Sequence, residues 1–399
     1  MIRYEEKDFR LAEEFCAVAL GTDTFYRALP VSDGTEEDFQ VEGLAPVDFS
    51  GVSPREIHSW QEAIEELTRI YHGYETVQDP TRRNYMLQQV GSFRKVCRWL
   101  SGEPTAFREL AAETMFIDEN PVGQKVLERK YRQLDRALEE AGFSGTCQEK
   151  LEAWRRERDV PTAQEREDIL NDLLRQGKQR ALDRGFSAIR DFDVRAKMVF
   201  DKPYNGYCDY YTRMIYINGG IGYTYDELKH LVCHEAYPGH MTHMAIRQQL
   251  LEAGKIPADA GLVLTNTASS PVFEGLADNG MAALDWEEGI HDEICKVLNQ
   301  IQTICNMNAS HLYYCGGEDR AAAEAYLRQW SLSSEAKIQS RLRYMGFPFR
   351  KAYMYAYWRG WEAVECKWLS LAKQERPAFL RYLYENMHSV DTVGQFGEN

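Results

Sequence analysis

The 399-residue chain is 44% apolar and 27% charged, the balance of a soluble globular protein, and its 62 acidic and 47 basic side chains leave a net charge of −15. That excess argues against nucleic acid or an anionic membrane surface as the main partner. No run approaches the ~20 apolar residues of a membrane span, and the charged start MIRYEEKDFRLAEEF shows no signal-peptide core. Nine cysteines without a C-x-x-C pair point to reduced thiols and a cytoplasmic setting.

Most of the chain reads as helix. Residues 34–54, rich in Gly, Pro, Ser and acids, read as a long loop. The stretch SPREIHSWQEAIEELTRIYHGYE then opens with Ser53, Pro54 and Glu56, which predict a capped helix start. Ile57, Trp60, Ile64, Leu67 and Tyr71 follow at helical spacing and form one apolar stripe. A second amphipathic helix ends at Gly142, and Thr162 with Glu165 predicts the start of a third. The texture changes near residue 190. FDVRAKMVF and RMIYIN are short and β-branched or aromatic, so they read as strands, with Gly219, Gly220 and Gly222 ending the second. Thr224 and Glu227 cap the next helix, TYDELKHLVCHE, and helices dominate again after about 258. The expected architecture is mainly α. A helical half over 1–190 and a chemistry-bearing half over 191–399 are expected to pack as one body around a cleft, with a small β-sheet beside the active-site helix.

Four of the nine histidines, His230, His234, His240 and His243, fall within fourteen residues. Neutral imidazole is the commonest metal ligand, and Glu235 stands beside the first His of HEAYPGH. In an H-E-x-x-H helix, residues four apart reach one ion and the Glu serves as general base. Here the spacing from His234 to His240 is six, which leaves them ~120° apart on a regular helix. Pro238 and Gly239 lie between them. Pro removes an amide and collides with the carbonyl four residues back, and Gly permits the dihedrals needed to recover. The sequence therefore predicts a break that swings His240 back toward His234. The competing pair is His230 and His234, four apart, which leaves the Pro-Gly break unexplained. His243 either lines the site, touches substrate or packs.

A catalytic zinc needs a third protein ligand and an open position. Downstream, SSPVFEGLADNGMA places Glu274 and Asp278 four apart on an apolar helix, so they share one face. EGLAD resembles the Glu-x-x-x-Asp arrangement of the gluzincins, which implies Glu274 on zinc and Asp278 buttressing a ligand histidine. The bland alternative is a helix start with acids near its positive end.

Together, HEAYPGH and FEGLAD resemble a large bacterial family of unknown function marked by H-E-x-x-P-G-H and a later E-G-W. It is grouped with the gluzincin-type metallopeptidases and is mostly helical. The likeness covers about 200–360. Met241 stands where the family often has His, and Leu276 where it has Trp. The late segment keeps Arg343, Tyr344, Pro348 and Tyr357-x-x-Gly360 but lacks the family's P-G-Q. The active-site tyrosine implied by the family is therefore either Tyr357 or Tyr353.

The resulting expectation is a zincin-like hydrolase of peptide or amide bonds. Zinc would sit on His234, His240 and Glu274, with Glu235 as general base and Tyr357 or Tyr353 at the oxyanion. The strand RMIYIN is a candidate for pairing with an extended peptide, and His243, Arg343 and Arg350 are candidate substrate contacts. Two alternatives stay open. One is an amidohydrolase or deacylase acting on a small metabolite; the other is a helical scaffold with a structural zinc whose fourth ligand is His230 or His243. Sequence leaves the oligomeric state open.

Overall fold

The computed structural model describes residues 2–30, 42–202, 204–317, 319–347 and 349–397. The protein is mainly α-helical, with a three-stranded sheet and one pair of two-residue strands. Of the candidate loop over 34–54, residues 34–41 lie outside the described residues. Local capping sets several helix starts. Thr162 accepts the Glu165 amide while the Glu165 carboxylate returns to the Thr162 amide, opening helix Ala163–Asp183. Thr224 and Glu227 do the same for helix Tyr225–Glu235.

One expected start is wrong. Ser53 and Glu56 cap nothing; the helix begins at Trp60, where Ser59 accepts the Glu62 amide. Residues 53–58 stay outside helix and strand, with the Arg55 amide on the Ala17 carbonyl and Ile57 buried. Contacts with helix Glu6–Ala28 and the burial of Ile57 outweigh the local helix signal, a common outcome for a weak propensity. Trp60, Ile64, Leu67 and Tyr71 keep their predicted stripe, and all but Leu67 are partly rather than fully buried.

The chain divides into two compact units. The first comprises Met1–Glu119, His243–Leu276 and Phe347–Asn399. Its core packs Leu11 and Phe15 with Leu67, Ile70, Val90 and Phe93. Within it, the guanidinium of Arg82 pairs bidentately with Asp259 (2.9 and 2.7 Å) and reaches Asp8 at 3.3 Å, all three buried. Burial disfavours this cation, but the charge and hydrogen bonds of Asp259, together with the nearby Tyr74 and Tyr4, more than offset it. Helix Ser270–Asp278 meets helix Met354–Ser370 at Gly275 and Gly360, where a Cβ on either residue would overlap the backbone of the other helix. The two glycines therefore let these helices touch backbone to backbone.

The second unit comprises Asn120–Thr242 and Ala277–Gly346. Its sheet runs in the order Arg195–Val199, Met214–Asn218, Gly206–Asp209, the first pairing parallel and the second antiparallel. RMIYIN is thus the central strand with both edges occupied, and its expected pairing with a substrate peptide is corrected. Asn171 bonds both the amide and the carbonyl of Ala196, and Glu167 accepts the Met198 amide, so helix Ala163–Asp183 closes the outer edge of Arg195–Val199. Helix Tyr225–Glu235 packs against helix Ala163–Asp183 and strand Gly206–Asp209, placing the sheet beside the histidine helix.

Arg82→Ala would leave two buried carboxylates without their cation. It should cost about 3–5 kcal/mol of stability, read as a lower denaturation midpoint; an unchanged midpoint would show the triad to be energetically idle.

Candidate metal centre

The helix carrying His234 ends at Glu235 and a new one starts at His240. Ala236 leaves the helical region at φ −121°, ψ −80°, and the Tyr237–Pro238 peptide is cis. The backbone groups around the break still find partners. The amides of Ala236 and Tyr237 both donate to the Val232 carbonyl, the Gly239 amide reaches back to Cys233, and the Thr242 amide and hydroxyl both donate to the Ala236 carbonyl. Tyr237 anchors the turn to the strand's approach, donating to the Phe192 carbonyl at 2.5 Å and accepting the Val194 amide at 2.9 Å. A Cβ at Gly239 would overlap the carbonyls of His234 and Cys233. Only glycine fits this close backbone approach.

The break returns His240 to His234. Their Nε2 atoms are 3.1 Å apart and their rings meet edge to face, with centroids 4.6 Å apart. His234 directs Nδ1 at the Asp278 carboxylate, 2.9 Å away. That bond assigns the proton to Nδ1 and the lone pair to Nε2. Burial alone would raise the Asp278 carboxyl, but His234 beside it and the bonds from His230 and His234 hold it below its ordinary range. His230 Nε2 stands 3.4 Å from the same Asp278 oxygen. Two imidazoles converging on one point, one of them oriented by a carboxylate, form a nitrogen donor set of the kind zinc takes.

Glu235 is buried beside strand Gly206–Asp209. A Cβ on Gly206 would come within 2.7 Å of Glu235 Oε1, so the missing side chain leaves room for the carboxylate. Nothing in the sequence around Gly206 marked it as a neighbour of the motif; the packing of helix Tyr225–Glu235 on strand Gly206–Asp209 puts it there.

Glu274 stands one turn ahead of Asp278 on helix Ser270–Asp278 and is buried. Tyr353 donates its hydroxyl to Glu274 Oε1 at 2.6 Å, and Tyr357 packs edge to face on Tyr353 at 5.6 Å. The Arg350 guanidinium lies 5.1 Å from the Tyr353 ring and pairs with Glu42. His243 packs between Phe273 and Tyr384, with centroids 5.8 and 5.6 Å away. Arg343 faces Asp201 at 3.4 Å. The glycines of Glu274-Gly275 and Tyr357-x-x-Gly360 are where their helices touch. Pro348 of the late segment lies outside the described residues.

Gly239→Ala should force the turn open. The expected cost is about 1–3 kcal/mol, the scale of an overpacked interior, measured by chemical unfolding; wild-type stability would mean the turn has slack that this geometry does not show.

No family model matches the chain, and no curated protein matches it. Among solved structures, the chain is similar to a candidate lipoprotein of Colwellia psychrerythraea, at 15% identity and a TM-score of 0.54, over 84% of this chain and 69% of that one. It is also similar to a candidate lipoprotein of unknown function from Shewanella oneidensis, at 13% identity and a TM-score of 0.50, over 98% and 73%. At these identities the likeness is one of fold. Among the described residues, no helix is long and apolar enough to cross a membrane.

Proposed function

We propose that the protein is a zinc-dependent hydrolase of amide bonds, acting on short peptides. The observation that carries this reading is the convergence of His234 and His240 at 3.1 Å across a helix break, with Asp278 on the far nitrogen of His234. A break that restores two imidazoles to one point, at a spacing where a regular helix separates them, is best accounted for by a shared ligand. Glu274 is the third ligand. In support, it precedes Asp278 by one turn on the same helix, and Tyr353 holds its carboxylate. The likeness of HEAYPGH and EGLAD to the H-E-x-x-P-G-H family supports the same assignment.

Zinc at these ligands would supply Lewis acidity, polarising the scissile carbonyl and acidifying the attacking water. Glu235 accepts a proton from that water and delivers it to the leaving nitrogen as the C–O bond forms and the C–N bond breaks. Because the Tyr353 hydroxyl is engaged with Glu274, Tyr357 is the donor to the developing oxyanion. Arg350 and Arg343 already face carboxylates of this chain, and His243 packs among aromatic rings. We therefore assign none of the three to the substrate. The nine cysteines are all thiols, which supports a reducing, cytoplasmic setting.

Two measurements test the reading. Protein purified without chelator should carry one zinc per chain and cleave members of a mixed peptide library. Glu235→Gln should keep the zinc and lose about 10²–10⁴-fold in turnover; zinc-free protein after reconstitution, or full activity in this variant, would refute it. Cleavage of small acylated metabolites without any peptide turnover would shift the substrate to a deacylase class. Separately, Tyr357→Phe should lower kcat about 10²–10³-fold with zinc retained, whereas Tyr353→Phe should weaken zinc binding. The reverse pattern would exchange the two roles.

A further inference from the structure

His230 has no part in the mechanism above, yet it belongs to the same cluster. It lies one turn before His234 on helix Tyr225–Glu235, and the two rings are 6.1 Å apart and tilted by 42°. Both histidines address one atom. Asp278 Oδ1 lies 2.9 Å from His234 Nδ1 and 3.4 Å from His230 Nε2. The ligand atoms of the three residues all lie within 4.8 Å of one another.

Asp278 is the last residue of its helix; Asn279 follows outside helical geometry before the chain turns into Gly280–Leu284. A carboxylate that accepts a single bond can still swing about its own axis. A second donor, from the helix that carries His234 and one turn away, removes that freedom. Resting on the zinc reading above, we infer that His230 is a positioning residue: it holds the Asp278 carboxylate so that His234 keeps its Nε2 aimed at the metal. Outer partners of this kind matter because they fix the tautomer and orientation of the ligand ring.

The same three residues could be read as a metal set of their own. That set would leave His240 unused, although the Pro238–Gly239 turn brings it to 3.1 Å from His234. The geometry therefore favours the supporting role for His230, and the two assignments differ in a measurable way.

The test is zinc affinity, measured by chelator competition on the full chain, with thermal unfolding as the check on folding. Wild type, His230→Phe, His230→Gln and His240→Ala are compared. His240→Ala should abolish tight binding. His230→Phe should weaken it by about 10–100-fold, the range for loss of an outer partner. His230→Gln, whose amide can still donate to Asp278, should recover most of that loss. Wild-type affinity in His230→Phe would overturn the inference. So would loss in both His230 variants as deep as in His240→Ala, which would make His230 a ligand. Failure of the zinc reading itself looks different: wild type then binds no zinc, or His240→Ala binds it as well as wild type.

Discussion

The approach of the Gly239 backbone to the carbonyls of His234 and Cys233 is the constraint on which the rest of the site depends. A regular helix through residues 234–240 would point the two imidazoles apart. The chain instead gives up helical bonds at Pro238, where no amide exists to make one, and regains them with longer loops of hydrogen bonding from Gly239 to Cys233 and from Thr242 to Ala236. Because these bonds are satisfied, the turn is a defined structure rather than a frayed helix end. Gly280 lies beneath it, and a Cβ there would stand 2.9 Å from the Cys233 carbonyl and 3.1 Å from Pro238. The helix that begins at Gly280 is separated from Asp278 by Asn279 alone, so the turn and the carboxylate that orients His234 are neighbours in packing as well as in chemistry.

Close backbone approach recurs wherever the site is positioned. Gly206 makes room for Glu235, and Gly275 against Gly360 brings the helix of Glu274 onto the helix that carries Tyr357 and starts just after Tyr353. Packed interiors pass small displacements on with little loss, so a methyl group at any of these points should move a functional side chain. The geometry here depends on side chains that are absent as much as on those present.

Charge is handled in the same economical way. The chain is strongly acidic, yet several buried ions in each unit are matched: Arg82 with Asp259 and Asp8, Lys229 with Asp292 at 2.8 Å, Glu227 with Lys337. Lys229 and Glu227 sit on the histidine helix itself, on either side of Leu228. That helix is thus tied into the second unit by ion pairs one to two turns before His234. Removing one partner of such a pair costs more than the pair contributes, which makes these residues determinants of a fixed helix position.

What the sequence determined by itself is local. Thr162 with Glu165, Thr224 with Glu227, and Pro238 with Gly239 act through bonds and clashes spanning three to six residues, so their effect on the backbone is legible without any tertiary contact. The mainly helical class, the strands near 195 and 214, and the return of His240 follow from such signals. Only the tertiary structure decided the remainder. It left Ser53 uncapped because Ile57 is buried, made RMIYIN the central strand, set Gly206 against Glu235, gave the Tyr353 hydroxyl to Glu274, and turned His230 toward Asp278. Each of these joins residues far apart in the chain or depends on which face is buried. Their free energies belong to packing, which no short window of sequence contains.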